Sequence, residues 1–200
     1  MGSTPQARKS GTRERIQKTA LDLFVSRGYE KTSLREIAEE LGVTKAALYY
    51  HFKTKEDILS ALSDELGRPV DDLIAWGRQQ PATMETKQEL LRRYSEALRD
   101  AAPIYHILQE NQATLRELSV GATLRQRITD FAGLLHAGDG PLETRVRYSS
   151  AMLTVHFGAL TMDMLPGDRE EKRATILRIA LEILDSTTRE ETAAALDAVG

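Results

Sequence analysis

Lys45, Ala46, Tyr49 and Tyr50 recur at helical spacing in a short stretch that also holds His51 and Lys55. An ammonium and two phenol hydroxyls on one arc suit hydrogen bonding to phosphates and base edges, without any covalent step. The sequence offers little for catalysis. Its histidines, His51, His106, His136 and His156, are scattered, and it contains no HExxH run, nucleophile elbow or glycine-rich phosphate loop. His106, His156 and Asp163 could converge on a metal, but lone polar residues on apolar helices more often serve as hydrogen-bonded core or pocket residues. No enzyme activity, metal or cofactor is expected.

That arc needs a helix to carry it and a second helix to hold the first. Ser33 precedes Glu36 by three, the spacing of a reciprocal capping box, and Leu34, Ile37, Ala38 and Leu41 then share one face. Gly42 ends this helix, and Thr44 caps the next, which turns Leu48 and Phe52 inward and Lys45, Ala46, Tyr49 and Tyr50 outward. A helix so displayed can lie in a DNA major groove. The plainer alternative is an αα-hairpin in a small bundle, whose core would not need two aromatics facing out beside basic residues.

The run FVSRGYEKTSLREIAEELGVTKAALYYHFKTKEDIL, within residues 12–55 and their sequel, resembles the N-terminal domain of TetR-type transcriptional regulators. The resemblance implies an all-α dimer that usually represses transcription and leaves DNA when a small molecule binds. It further implies that Thr32 and Ser33 meet phosphates, that Thr44, Lys45, Ala46, Tyr49, Tyr50 and His51 lie on the groove and its walls, and that Lys55 holds another phosphate. Ala46 departs from the glycine many relatives carry. Beyond the first quarter of the chain, only the helical plan is similar.

Charge separates the chain in the same place. Through Lys55 there are eleven Lys and Arg against six Asp and Glu, a net of +5; the whole chain is −3, so residues 56–200 carry −8. Only the first segment suits a polyanion, and the overall balance argues against coating DNA indiscriminately. The absence of cysteine excludes disulfides and thiolate metal sites and fits a reducing compartment. Residues 1–11 are polar, with no signal-peptide core, and read as a flexible basic arm in a cytoplasmic protein.

A first helix over residues 12–27, buried through Ile16, Ala20, Leu23 and Phe24, completes a three-helix module over residues 12–55. Thr54 caps a fourth helix, and Gly67-Arg68-Pro69 either ends or kinks it before Leu73, Ile74 and Trp76. Thr86 and Glu89 predict another capped start, with Pro103 opening a shorter helix and Gly138-Asp139-Gly140-Pro141 forming a turn. Residues 56–186 thus form a helical effector-binding and dimerisation domain, and 187–200 a tail.

Trp76, Tyr94, Tyr105, His106, Met152 and His156 interrupt aliphatic stripes with aromatic or polar tips, which makes them candidates to line an effector cavity; a filled core would use the same residues. The helix from Val146 to Leu165 is apolar or small nearly all round, but His156 and Asp163 argue against a membrane span. Together with the helix from Asp168 to Asp185, it offers Ser150, Thr154, Gly158, Thr161, Ile176, Ile179, Ala180 and Ile183 to a partner subunit, and in TetR-like proteins the last two helices pair as a four-helix bundle. The expected function is a repressor on a double-stranded palindromic operator, released by a small-molecule effector. The alternatives are a ligand-independent regulator whose second domain only dimerises or docks a protein, and an enzyme fused to a DNA-binding module.

Overall fold

A computed structural model of the chain describes residues 5–110, 119–138 and 140–197, with side chains described at 11–99, 107, 120–138, 140–159, 161–162 and 164–186. Among these residues the secondary structure is helical throughout: α1 (Pro5–Arg27), α2 (Leu34–Leu41), α3 (Lys45–His51), α4 (Lys55–Gly77), α5 (Met84–Glu110), α6 (Ser119–Leu135), α7 (Leu142–Thr161) and α8 (Arg169–Asp197), with one 3-10 turn at Met162–Met164. None of the described helices is long and apolar enough to cross a membrane.

Two compact units emerge, one from Met1–Gly67 with Pro103–Leu124 and one from Arg68–Ala102 with Arg125–Gly200. The first unit buries Ile16, Ala20, Leu23 and Phe24 of α1 together with Leu34, Ile37 and Ala38 of α2, Leu48 of α3 and Phe52. Ile58, Leu59 and Leu62 of α4 are buried as well, so the start of α4 belongs to this unit rather than beyond a boundary at Lys55. Gln17 on α1 donates to Glu65 on α4 at 2.9 Å. The second unit buries Leu73 and Ile74 of α4, Leu90, Leu91, Tyr94 and Leu98 of α5, Phe131 and Leu135 of α6, Ala151 and Val155 of α7, and Ala180 and Leu184 of α8.

Several helix limits differ from the sequence expectation. Helix α1 starts at Pro5 rather than near residue 12: proline suits a first turn, and Gln6, Ala7, Arg8 and Lys9 are good helix formers. Both internal prolines, Pro69 in α4 and Pro103 in α5, lie within continuous helices. A proline costs about 3 kcal/mol inside a helix, and buried residues on either side, Leu62 and Val70 in α4 and Leu98 and Ile107 in α5, supply the packing that outweighs it. The division between the units nevertheless falls at Gly67/Arg68 and Ala102/Pro103, beside each proline. Thr83, not Thr86, caps α5: its hydroxyl accepts from the Thr86 amide at 3.2 Å. Helix α8 runs on to Asp197 because the alanine-rich stretch after Thr188 is itself a helix former.

Candidate nucleic-acid interface

The three-helix module is held by caps at each turn of the chain. The Ser33 hydroxyl accepts from the Glu36 amide at 3.2 Å while the Glu36 carboxylate accepts from the Ser33 amide at 2.8 Å, completing the reciprocal box. The hydroxyl bond from Ser33 also holds the Glu36 carboxyl below its ordinary value. Gly42 ends α2 at φ +68°, a left-handed conformation that favours glycine, and its amide reaches back to Ala38 and Glu39. Thr44 then caps α3, accepting from the Ala47 amide at 3.2 Å. Helix α3 has only seven residues, so its existence depends on these caps and on Leu48 and Phe52 in the core.

With Leu48 fully buried, the opposite side of α3 is presented outward. Thr44, Lys45 and Ala46 are exposed, Tyr50 is 63% exposed, and Tyr49 and His51 are half-buried. The Lys45 ammonium lies 5.4 Å from the Tyr49 ring centre, and the Tyr50 and His51 rings meet edge to face at 5.3 Å. The arc is therefore an ammonium and a phenol projecting into solvent beside a second phenol, on a helix narrow enough for a major groove.

Two expected phosphate contacts stand differently. Thr32 is 2% exposed, and its hydroxyl donates to the carbonyl of Gly28 at 2.9 Å and of Leu23 at 3.4 Å, so it closes the end of α1 and does not face a phosphate. Lys55 donates to the Tyr29 carbonyl at 2.8 Å with its ammonium 4.4 Å from the Tyr29 ring centre. It ties the start of α4 to the α1–α2 loop, leaving two of its three donor positions for other acceptors. Tyr29 donates to Glu56 at 3.1 Å, and burial, followed by the charge of Glu56, raises its phenol above the ordinary value.

Arg13 and Lys53 were missed by sequence reasoning. The Lys53 ammonium donates to the Tyr49 carbonyl at 2.6 Å, and the Arg13 guanidinium, from α1, donates to the His51 carbonyl at 3.3 Å and lies 4.2 Å from the centre of the Phe52 ring. The basic residue just past α3 was a usable signal for Lys53; Arg13 is 38 positions from its acceptor and carried none.

In the second unit, two of the cavity candidates, Tyr94 and His156, meet directly, with the Tyr94 oxygen 2.7 Å from His156 Nδ1. Tyr94 also stacks on Phe131 at 4.2 Å between ring centres. Burial alone lowers the His156 pKa below its ordinary 6.5. Met152 is buried four positions before His156 on α7, and Trp76 lines an open groove of about 380 Å³ with Pro69, Leu73 and Arg93, the guanidinium 4.0 Å from its ring centre. Tyr105 and His106 lie outside the residues whose side chains are described.

The expected dimer residues also divide. Ala180 is fully buried within its own unit and is not available to a partner. Gly158 seats Ile176 of α8: a Cβ there would come within 2.6 Å of the Ile176 side chain, so this small residue serves contact within the subunit. Ile179 and Thr161 are exposed, and Ser150, Thr154, Ile176 and Ile183 are half-buried. Leu142, Val146, Leu153 and Phe157, which the sequence reading did not single out, are large apolar side chains exposed on α7. At 100° per residue they fall within an arc of about 60°.

A family model described as "Bacterial regulatory proteins, tetR family" matches residues 16–62, which run from the middle of α1 to the first two turns of α4. The HTH-type transcriptional regulator TtgR of Pseudomonas putida is 29% identical over 176 residues, covering 84% of this chain and 75% of that protein. The HTH-type transcriptional activator FasR of Mycolicibacterium smegmatis is 31% identical over 151 residues, covering 72% and 66%. The crystal structure of Mycobacterium smegmatis AmtR matches with a TM-score of 0.64 at 27% identity, covering 86% of this chain and 85% of that one. These relatives are regulators rather than enzymes, and the matched segment is the one that caps and displays α3: the chain belongs to the TetR family and is a DNA-binding transcriptional regulator.

Proposed function

We propose that the chain is a homodimeric repressor of the cytoplasm, with α3 of each subunit in the major groove of one half of a palindromic operator. The outward arc of Lys45, Tyr49 and Tyr50 on the doubly capped α3 carries this reading. Ser33, Thr44, Ala46, His51 and Lys55 flank the arc and complete the proposed contact set. Thr32 is withdrawn from it. Bound over a promoter, such a dimer excludes polymerase sterically.

The exposed stripe on α7, with Ile179 of α8, supports dimerisation through the last two helices. An apolar effector with one or two polar groups is supported by the buried Tyr94–His156 pair, with Met152 on the same helix as His156. The ligand lowers operator affinity only if it prefers a conformation in which the two α3 helices are wrongly placed. Tyr94 favours the ligand-independent alternative in one respect, since its ring is already stacked and its hydroxyl already bonded.

Fluorescence anisotropy tests the DNA reading, using a duplex selected by the full chain from a random-sequence library and a shuffled copy. Tyr50→Ala or Lys45→Ala is expected to cost about 1 to 3 kcal/mol on the selected duplex and to narrow the gap to the shuffled one. Wild-type affinity and discrimination in both variants would remove the proposed surface.

A further inference from the structure

The last turn of α3 leaves carbonyls that its own backbone does not satisfy. The Phe52 amide returns to Leu48, and the carbonyls of Tyr49 and His51 are met by cations instead: Lys53 at 2.6 Å and Arg13 at 3.3 Å. The negative end of a helix dipole favours positive charge there. The two cations differ in origin. Lys53 follows α3 in the chain and moves with it, whereas Arg13 stands on α1, three residues before the fully buried Ile16. Its guanidinium is held twice, by the hydrogen bond to His51 and by lying over the Phe52 ring at 4.2 Å, the residue that anchors the end of α3 in the core.

We infer that Arg13 is a positioning residue for sequence readout: it fixes the C-terminal end of α3 against α1, and so sets the direction in which Tyr49 and Tyr50 meet the bases. A seven-residue helix whose caps travel with it, and which the core holds only at Leu48 and Phe52, keeps the freedom to roll about the line joining those two anchors. The bond from α1 to its last carbonyl removes that freedom. This inference rests on the reading of α3 as the groove element. A guanidinium spent on His51 and Phe52 contributes orientation, which the selected duplex rewards and the shuffled duplex does not.

The test compares Arg13→Ala, Arg13→Lys and Tyr50→Ala in the full chain on the selected and shuffled duplexes at several salt concentrations. Helical circular dichroism identifies the folded variants. Arg13→Ala is expected to lose affinity for the selected duplex by about 2- to 5-fold, the range of an exposed helix-terminal charge, with the shuffled duplex and the salt slope unchanged. Arg13→Lys keeps the charge but not the planar group that both stacks and donates, so it should recover only part of the loss; it also carries the test if the alanine variant does not fold. An equal loss on both duplexes with a salt slope lower by about one would overturn the inference by making Arg13 a phosphate contact. Unchanged discrimination in the Arg13 variants while Tyr50→Ala loses it would overturn it too. If Tyr50→Ala also leaves discrimination intact, the failure lies with α3 as the reading helix.

Discussion

Thr32 and Ser33 are adjacent hydroxyls with opposite environments, and each environment follows from what the hydroxyl meets. Ser33 begins α2 at the surface and exchanges hydrogen bonds with Glu36; Thr32 points inward and closes the carbonyl end of α1 at Gly28 and Leu23. Thr32→Val keeps the shape and removes the donor, leaving buried carbonyls less well satisfied. Its expected cost is about 1 to 2 kcal/mol in urea unfolding, with the salt dependence of DNA binding unchanged. A variant of wild-type stability with a reduced salt slope would instead put Thr32 on a phosphate. The outward set at Lys45, Tyr49 and Tyr50 was legible in the sequence because helical periodicity alone decides which side faces Leu48. The direction of Thr32 was not, because its acceptors belong to a different element, nine and four residues away. The same holds for Lys55, whose ammonium is tied to the Tyr29 carbonyl by a contact of sequence separation 26.

At the scale of elements, caps and local periodicity carried the reading from Ser33 to Lys55, while Pro103 misled it and Pro69 left two outcomes open, of which the helix that continues is the one found. Proline has a fixed local cost, and whether a helix survives it depends on packing that only the folded chain supplies. Helix α4 past Pro69 is secured to α6 by two ion pairs of opposite sense. Arg127 of α6 donates to both oxygens of Asp71 at 2.8 Å, and Arg78 of α4 donates to Asp130 at 3.1 Å. The first pair is asymmetric: the Arg127 side chain is 8% exposed and that of Asp71 49%. Removing the carboxylate takes a two-point acceptor from a guanidinium that water barely reaches, whereas removing the guanidinium leaves a carboxylate that water can reach. Asp71→Ala should therefore destabilise by about 1 to 3 kcal/mol, below the full cost of breaking a buried pair because one partner is solvated, and Arg127→Met by less. Equilibrium urea unfolding of the two variants decides this, and an equal or larger loss in Arg127→Met would contradict the asymmetry.

For the whole molecule, the surface proposed to join two subunits is one that Gly158 does not mark. Gly158 is small because Ile176 of the same chain rests on it, so enlarging it should first disturb packing within the subunit. The exposed stripe of Leu142, Val146, Leu153 and Phe157 is turned to another side of the helix. Sequence could show that α7 is apolar on more than one side, but assigning each side required knowing where α8 lies. A two-fold interface uses the same patch from both subunits, so a single substitution acts twice. Phe157→Glu or Leu153→Glu places a carboxylate in the proposed interface from each side while leaving the subunit core untouched. Light scattering should then show a monomer where the parent chain is a dimer, with helical content retained. Operator affinity should fall with it, because two reading helices on half-sites about 34 to 36 Å apart act as one binding event only while joined. A monomeric parent chain, or variants that stay dimeric with unchanged affinity, would rule out this face as the junction between subunits.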